Sequence, residues 1–123
     1  MGIDIYAHWR DQSNEAKAKQ SEAWLSTGAG GAGYLREAYH GEPYATKHLC
    51  AEAFETDRAR IEAAILRERL PHTLALVEER ERNIYKSTDE EIEDMKQSYR
   101  DFVALCEEKE KETGEPVLVI ASY

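Results

Sequence analysis

Cysteine, proline and phenylalanine are scarce in this chain: two, three and two residues respectively out of 123. Cys50 and Cys106 are too few for a disulfide scaffold. Neither belongs to a CxxC pair, which removes the commonest zinc and redox signatures. Long apolar runs are missing too, and nothing approaches the roughly 20 residues that a bilayer span requires. The opening MGIDIYAHWRD lacks the basic start and apolar stretch of a secretory signal. Gly2 follows Met1, but position 6 is Tyr rather than Ser or Thr, so a myristoylation site is excluded. These absences lead to the expectation of a cytoplasmic protein that does not enter a membrane. Positive charge is also short. The formal charge is −9, and the halves 1–57 and 58–123 hold 5 basic against 9 acidic and 11 against 16. No basic stripe is segregated along the sequence, so direct nucleic acid binding through phosphate contacts is not expected.

What is present is enough for a core. Hydrophobic residues make up 41% and charged residues 33%, the balance of a folded single domain over 1–123 rather than a disordered chain. The start alternates with period two. Ile3, Ile5, Ala7 and Trp9 fall on one face and Asp4, Tyr6 and His8 on the other, which predicts a strand with one buried face. The end, Pro116 to Tyr123, is a nearly continuous β-branched apolar run, predicting a central strand covered on both faces. Two terminal strands in one domain most simply share a sheet.

Between them the signals vary. Residues 10–21 are polar and aperiodic, predicting a surface loop with a helical turn. A short strand is expected through Trp24 and Leu25, then a mobile loop over Gly28–Gly33, where four glycines in six positions maximise the entropy that order would cost. Tyr34 to His40 predicts two helical turns stopped by Gly41 and Pro43, and Tyr44 to Leu49 a weak edge strand. From Asp57 the period becomes helical, through Ile61, Ala64, Ile65, Leu70, Leu74, Val77 and Ile84, with Pro71 either ending or kinking the helix. Thr88 before Asp89, Glu90 and Glu91 matches a capping box. The stripe Ile92, Met95, Tyr99, Phe102 and Cys106 then runs toward a stop at Gly114. The fold class expected is α+β: a small, mainly antiparallel sheet of three or four strands including both termini. A long antiparallel hairpin of helices, Arg58–Tyr85 and Asp89–Thr113, covers it.

The segments GIDIYAHW, GYLREAYHGEPYAT and FVALCEEKEKETGEPVLVIASY resemble a family of small uncharacterised bacterial proteins that open GIDIY and end in IASY. The resemblance spans most of the chain. It implies a folded member of that family and brings no activity, cofactor or catalytic residue with it.

Functional candidates therefore come from the residues. Gly28, Gly30 and Gly33 fit GxGxxG, but a weak preceding strand and a short following helix favour an ordinary loop over a nucleotide fold. The segment Tyr34–His48 is the richest in site chemistry, with Arg36, Tyr39, His40 and Tyr44 among Gly and Pro turn residues. Tyrosines and an arginine on a loop are the usual materials of a binding surface. The competing reading has Tyr34, Leu35 and Tyr39 anchoring a short helix while Arg36 and Glu37 are solvated. His40 is the candidate general base, with His8 or His48 as alternates, because imidazole titrates near neutrality. A Cys50–His48 nucleophile pair is conceivable, although a buried inert thiol is the commoner state. No HxH, HExxH or CxxC spacing supports a metal, and no cofactor is expected.

Three functions follow. The first is a non-enzymatic binding module for a protein partner or small anionic ligand, using Tyr34–His48. The second is a small hydrolase or transferase with His40 as base and Arg36 holding an anionic group. The third is an acidic inhibitor that mimics nucleic acid through Asp89–Asp94, although helix capping alone accounts for acids there. A homodimer is compatible with all three.

Overall fold

The computed structural model describes residues 2–23, 29–39, 41, 42 and 44–123. It is an α+β fold in which four antiparallel strands form one sheet: β1 (Gly2–His8), β2 (Tyr34–Ala38), β3 (Arg58–Ile61) and β4 (Val117–Ser122), in the order β2-β1-β4-β3. The two terminal strands are the central pair, Ile5 lying opposite Ala121 and Ala7 opposite Val119. Side chains alternate across a strand, so Ile3, Ile5, Ala7, Val117, Val119 and Ala121 all enter the core from one face.

Among the described residues, five α-helices accompany the sheet: α1 (Asn14–Glu22), α2 (Ala45–Leu49), α3 (Ala51–Thr56), α4 (Ala63–Asn83) and α5 (Asp89–Thr113). The long pair α4 and α5 pack antiparallel, forming the expected hairpin. The α5 start is the one that the sequence specified. The Thr88 side chain accepts from the Glu91 N–H at 3.2 Å, and the Glu91 carboxylate accepts from the Thr88 N–H at 2.9 Å. Ile92, Tyr99, Phe102 and Cys106 are buried along one stripe, Met95 is half-buried, and Gly114 ends the helix with φ 77°.

Several expectations are corrected. Tyr34–Ala38 is a strand, not a helix, because Leu35 and Glu37 face the core while Arg36 and Ala38 face out. Residues 45–49 are helical rather than a strand, and Asn14–Glu22 is a full helix capped by Ser13, whose Oγ accepts from the Ala16 N–H at 3.0 Å. The first long helix begins at Ala63 rather than Arg58. Asp57 adopts φ 69°, turning the chain so that Arg58–Ile61 pairs with β4. Its buried stripe is Ala63, Leu66, Leu70, Thr73, Val77 and Arg80, and Ala64 faces solvent. Pro71 lies inside this continuous helix. β4 is central as expected, but it is covered on one face only, Leu118 and Ile120 remaining half-exposed.

The glycine segment is likewise tighter than expected. Residues 30–32 form a 3-10 turn against α5, and the Gly30 N–H donates to Ser98 Oγ at 3.0 Å. A Cβ at Gly30 would stand 1.7 Å from the Ser98 carbonyl oxygen, so only glycine permits this approach. The expected strand through Trp24 and Leu25 lies outside the described residues, as does His40. Among the described residues, no helix is long and apolar enough to cross a membrane.

Candidate functional site

The centre of the Tyr34–His48 segment is a buried ion pair. Glu37 points inward from edge strand β2 and Arg80 from the last turn of α4. Their side chains meet at 3.2 Å with 7% and 4% exposure. Burial of two charges is costly unless every lone pair and proton finds a partner, and here the partners are supplied by the chain's own turns. The Glu37 carboxylate also accepts from the Ala45 N–H at 2.9 Å and the Thr46 N–H at 3.1 Å, capping α2 from a distance. Arg80 donates to the Ala38 carbonyl at 3.0 Å and to the Gly41 carbonyl. One pair thereby joins β2, the bend after it, α2 and α4. Gly41 completes the bend with φ 74°, and a Cβ there would lie 2.7 Å from Ile84 Cδ1.

Two tyrosines stand against Arg80, and a third packs on one of them. The Arg80 guanidinium carbon lies 5.0 Å from the Tyr44 ring centroid and 5.9 Å from that of Tyr85, within cation–π range. Tyr39 meets Tyr44 edge to face, at 6.0 Å and 89°. Tyr44 is half-buried, whereas Tyr39 and Tyr85 are 45% and 39% exposed, two of the three exposed large hydrophobic side chains among the described residues.

Of the four residues singled out by the sequence, the structure brings Tyr39 and Tyr44 together. Arg36 lies on the opposite face of the sheet, 3.5 Å from Asp4 and 45% exposed. Asp4 also accepts from the Tyr34 hydroxyl, and burial together with that bond pushes the Tyr34 phenol up to about 12. Arg80 and Tyr85 were not singled out, and Glu37, read as solvated beside Arg36, is instead buried. Arg80 sits in the charged run 78–82, which resembles a solvated face in the sequence. In the helix it continues the buried stripe of Leu66, Leu70, Thr73 and Val77.

The remaining candidates have structural occupations. Cys50 is fully buried between α2 and α3, and burial holds its thiol well above the ordinary range, opposite to what a nucleophile needs. Cys106 is buried on α5 and pushed up to about 12 for the same reason. His48 meets His72 of α4 with ring centroids 4.4 Å apart, and burial, then His72 and Arg69, lower its pKa. In the acidic stretch, Glu91 is held in the capping box, Asp89 pairs with Arg82 at 2.9 Å and Glu93 with Arg100 at 2.7 Å. Among the described residues, no three His, Cys, Asp or Glu side chains are grouped to hold a metal. A cleft of about 360 Å³ lies elsewhere, between Trp9–Ser13 and the end of α5. There Lys109 stands over the Trp9 ring at 5.2 Å and pairs with Glu112 at 3.0 Å.

Compared with known proteins, the chain matches no family model, no curated protein and no solved structure.

Proposed function

We propose that this protein is a non-enzymatic binding module whose contact surface is the tyrosine cluster Tyr39, Tyr44 and Tyr85. The observation that carries the proposal is the pairing of exposed rings with a rigid base. Tyr39 and Tyr85 are 45% and 39% exposed, while the Arg80 that Tyr44 and Tyr85 contact is fixed by Glu37 and two backbone carbonyls. Tyrosine supplies broad contact area at the entropic cost of two torsions, and a prearranged cluster loses little further freedom on binding. Rings of this kind are the usual anchors of protein interfaces, where a few residues carry most of the affinity. The partner is accordingly a protein. Arg36, on the far face of the sheet, is not part of this surface.

The test compares the wild-type chain with Tyr39→Ala/Tyr85→Ala as immobilised baits in lysate of the native cell. A discrete partner held by the wild type and lost by the double variant, with both folded by circular dichroism, supports the reading. A partner retained at equal yield contradicts it.

A further inference from the structure

Topology gathers on the outer face of the sheet a set of side chains that no stretch of the sequence holds together. β1 turns out Asp4, Tyr6 and His8; β2, Tyr34 and Arg36; β4, Leu118, Ile120 and Ser122; and β3, Arg58 and Arg60. The register aligns them in rows. Tyr34, Tyr6, Ile120 and Arg58 form one row, His8, Leu118 and Arg60 the next, and Arg36 and Asp4 face each other across the first pair. Tyr34 is buried, Tyr6, His8, Leu118 and Ile120 are half-exposed, and all three arginines are exposed. The strands thus carry outward three arginines against one carboxylate, on a chain whose net charge is −9. Among the described residues Arg58 makes no ion pair, and Arg60 reaches the Pro116 carbonyl at 2.7 Å and Glu115 at 3.5 Å.

From this face we infer a second binding site, for single-stranded nucleic acid. Half-exposed rings on a central strand, Tyr6 and His8, lie 6.5 Å apart and inclined at 63°, so each is a separate ring on which one base can stack. Arginines on both outer strands, β2 and β3, are placed to hold phosphates on either side of the rings, and planar guanidinium groups hold phosphate bidentately. Unpaired bases are free to stack on exposed rings, whereas those of a duplex are already stacked on one another, so a single strand is the form this face accepts. A second copy of this chain is a poor occupant, because two such faces would oppose arginine with arginine. The sequence expectation against nucleic acid rested on the lack of a basic stripe. The fold assembles the basic face from segments 22 or more residues apart.

The test is fluorescence anisotropy at low salt with a labelled oligothymidine of about 15 nucleotides, a duplex of the same length and a glutamate-rich peptide of similar charge. Saturable binding of the single strand, weaker for duplex and peptide, is the expected result. Arg58→Ala/Arg60→Ala should weaken it at least about tenfold and reduce the salt slope by roughly 0.7 per arginine that contacts phosphate. Tyr6→Leu, checked for an unchanged melt, should weaken binding with the salt slope preserved, since stacking carries no counterion release. Absence of binding, an affinity untouched by these variants, or equal binding of the acidic peptide would each overturn the inference. Loss of the tyrosine-cluster partner leaves this readout unaffected, so the two sites are judged separately.

Discussion

Glu37 and Arg80, 43 positions apart in sequence, form a buried ion pair at 3.2 Å that closes the bend between β2 and α2 onto the end of α4. Removing one member leaves the other charged and buried, a cost of about 3–5 kcal/mol. Arg80→Leu should therefore destabilise by that amount in urea unfolding. Glu37→Gln/Arg80→Leu should cost less than the two single changes added together. Strict additivity would mean that the two side chains act independently.

Gly30 and Gly31 supply a matched pair of substitutions. A Cβ at Gly30 collides with the Ser98 backbone, whereas one at Gly31 meets nothing within 4 Å. Overpacking costs about 1–3 kcal/mol, and here the clash is with backbone, so Gly30→Ala should be destabilised at the upper end of that range and Gly31→Ala nearly neutral. Similar melting temperatures for the two variants would contradict the close seating of the turn on α5.

Thr88→Ala removes one half of the capping box and should cost about 1 kcal/mol, measured by chemical denaturation. An unchanged midpoint would place the functional start of α5 elsewhere.

The pH dependence has a defined sign. Burial lowers the pKa of His48, with His72 and Arg69 adding to it, and burial also lowers that of His8, with Lys17 and Arg58 adding. The unfolded chain therefore binds these protons more readily than the folded one. Their contribution is neutral above the unfolded histidine value of about 6.5, and stability falls as pH drops below it. His8→Gln/His48→Gln should flatten the change in melting temperature between about pH 7.5 and 5.5 relative to wild type. An equal or steeper slope in the variant would reverse the assignment.

Much of the frame was legible in the sequence because it rests on local periodicity and capping. The alternation of Ile3, Ile5 and Ala7, the Thr88 box and the stripe from Ile92 to Cys106 each name their element without reference to partners. The Tyr34–Ala38 strand was not legible, since an inward Glu37 breaks the apolar alternation and is explained only by Arg80. The start of α4 was missed for a similar reason. Arg58 and Arg60 look helical beside Ile61 and Ile65, and only the turn at Asp57 and pairing with β4 make them a strand. Within the candidate site, Tyr39 and Tyr44 stand close in sequence and were identified together. Tyr85 joins them through the helix hairpin, a relation no local pattern carries.

The tyrosine cluster beside Arg80 is the proposed contact surface for a partner protein. The most direct measurement places a photoactivatable phenylalanine at Tyr39, at Tyr85 and, as a control, at exposed Ala104 on α5, followed by irradiation in the native cell. One discrete adduct of the same partner is expected from positions 39 and 85 and none from 104. No adduct from either tyrosine position, or the same adduct from all three, would contradict it.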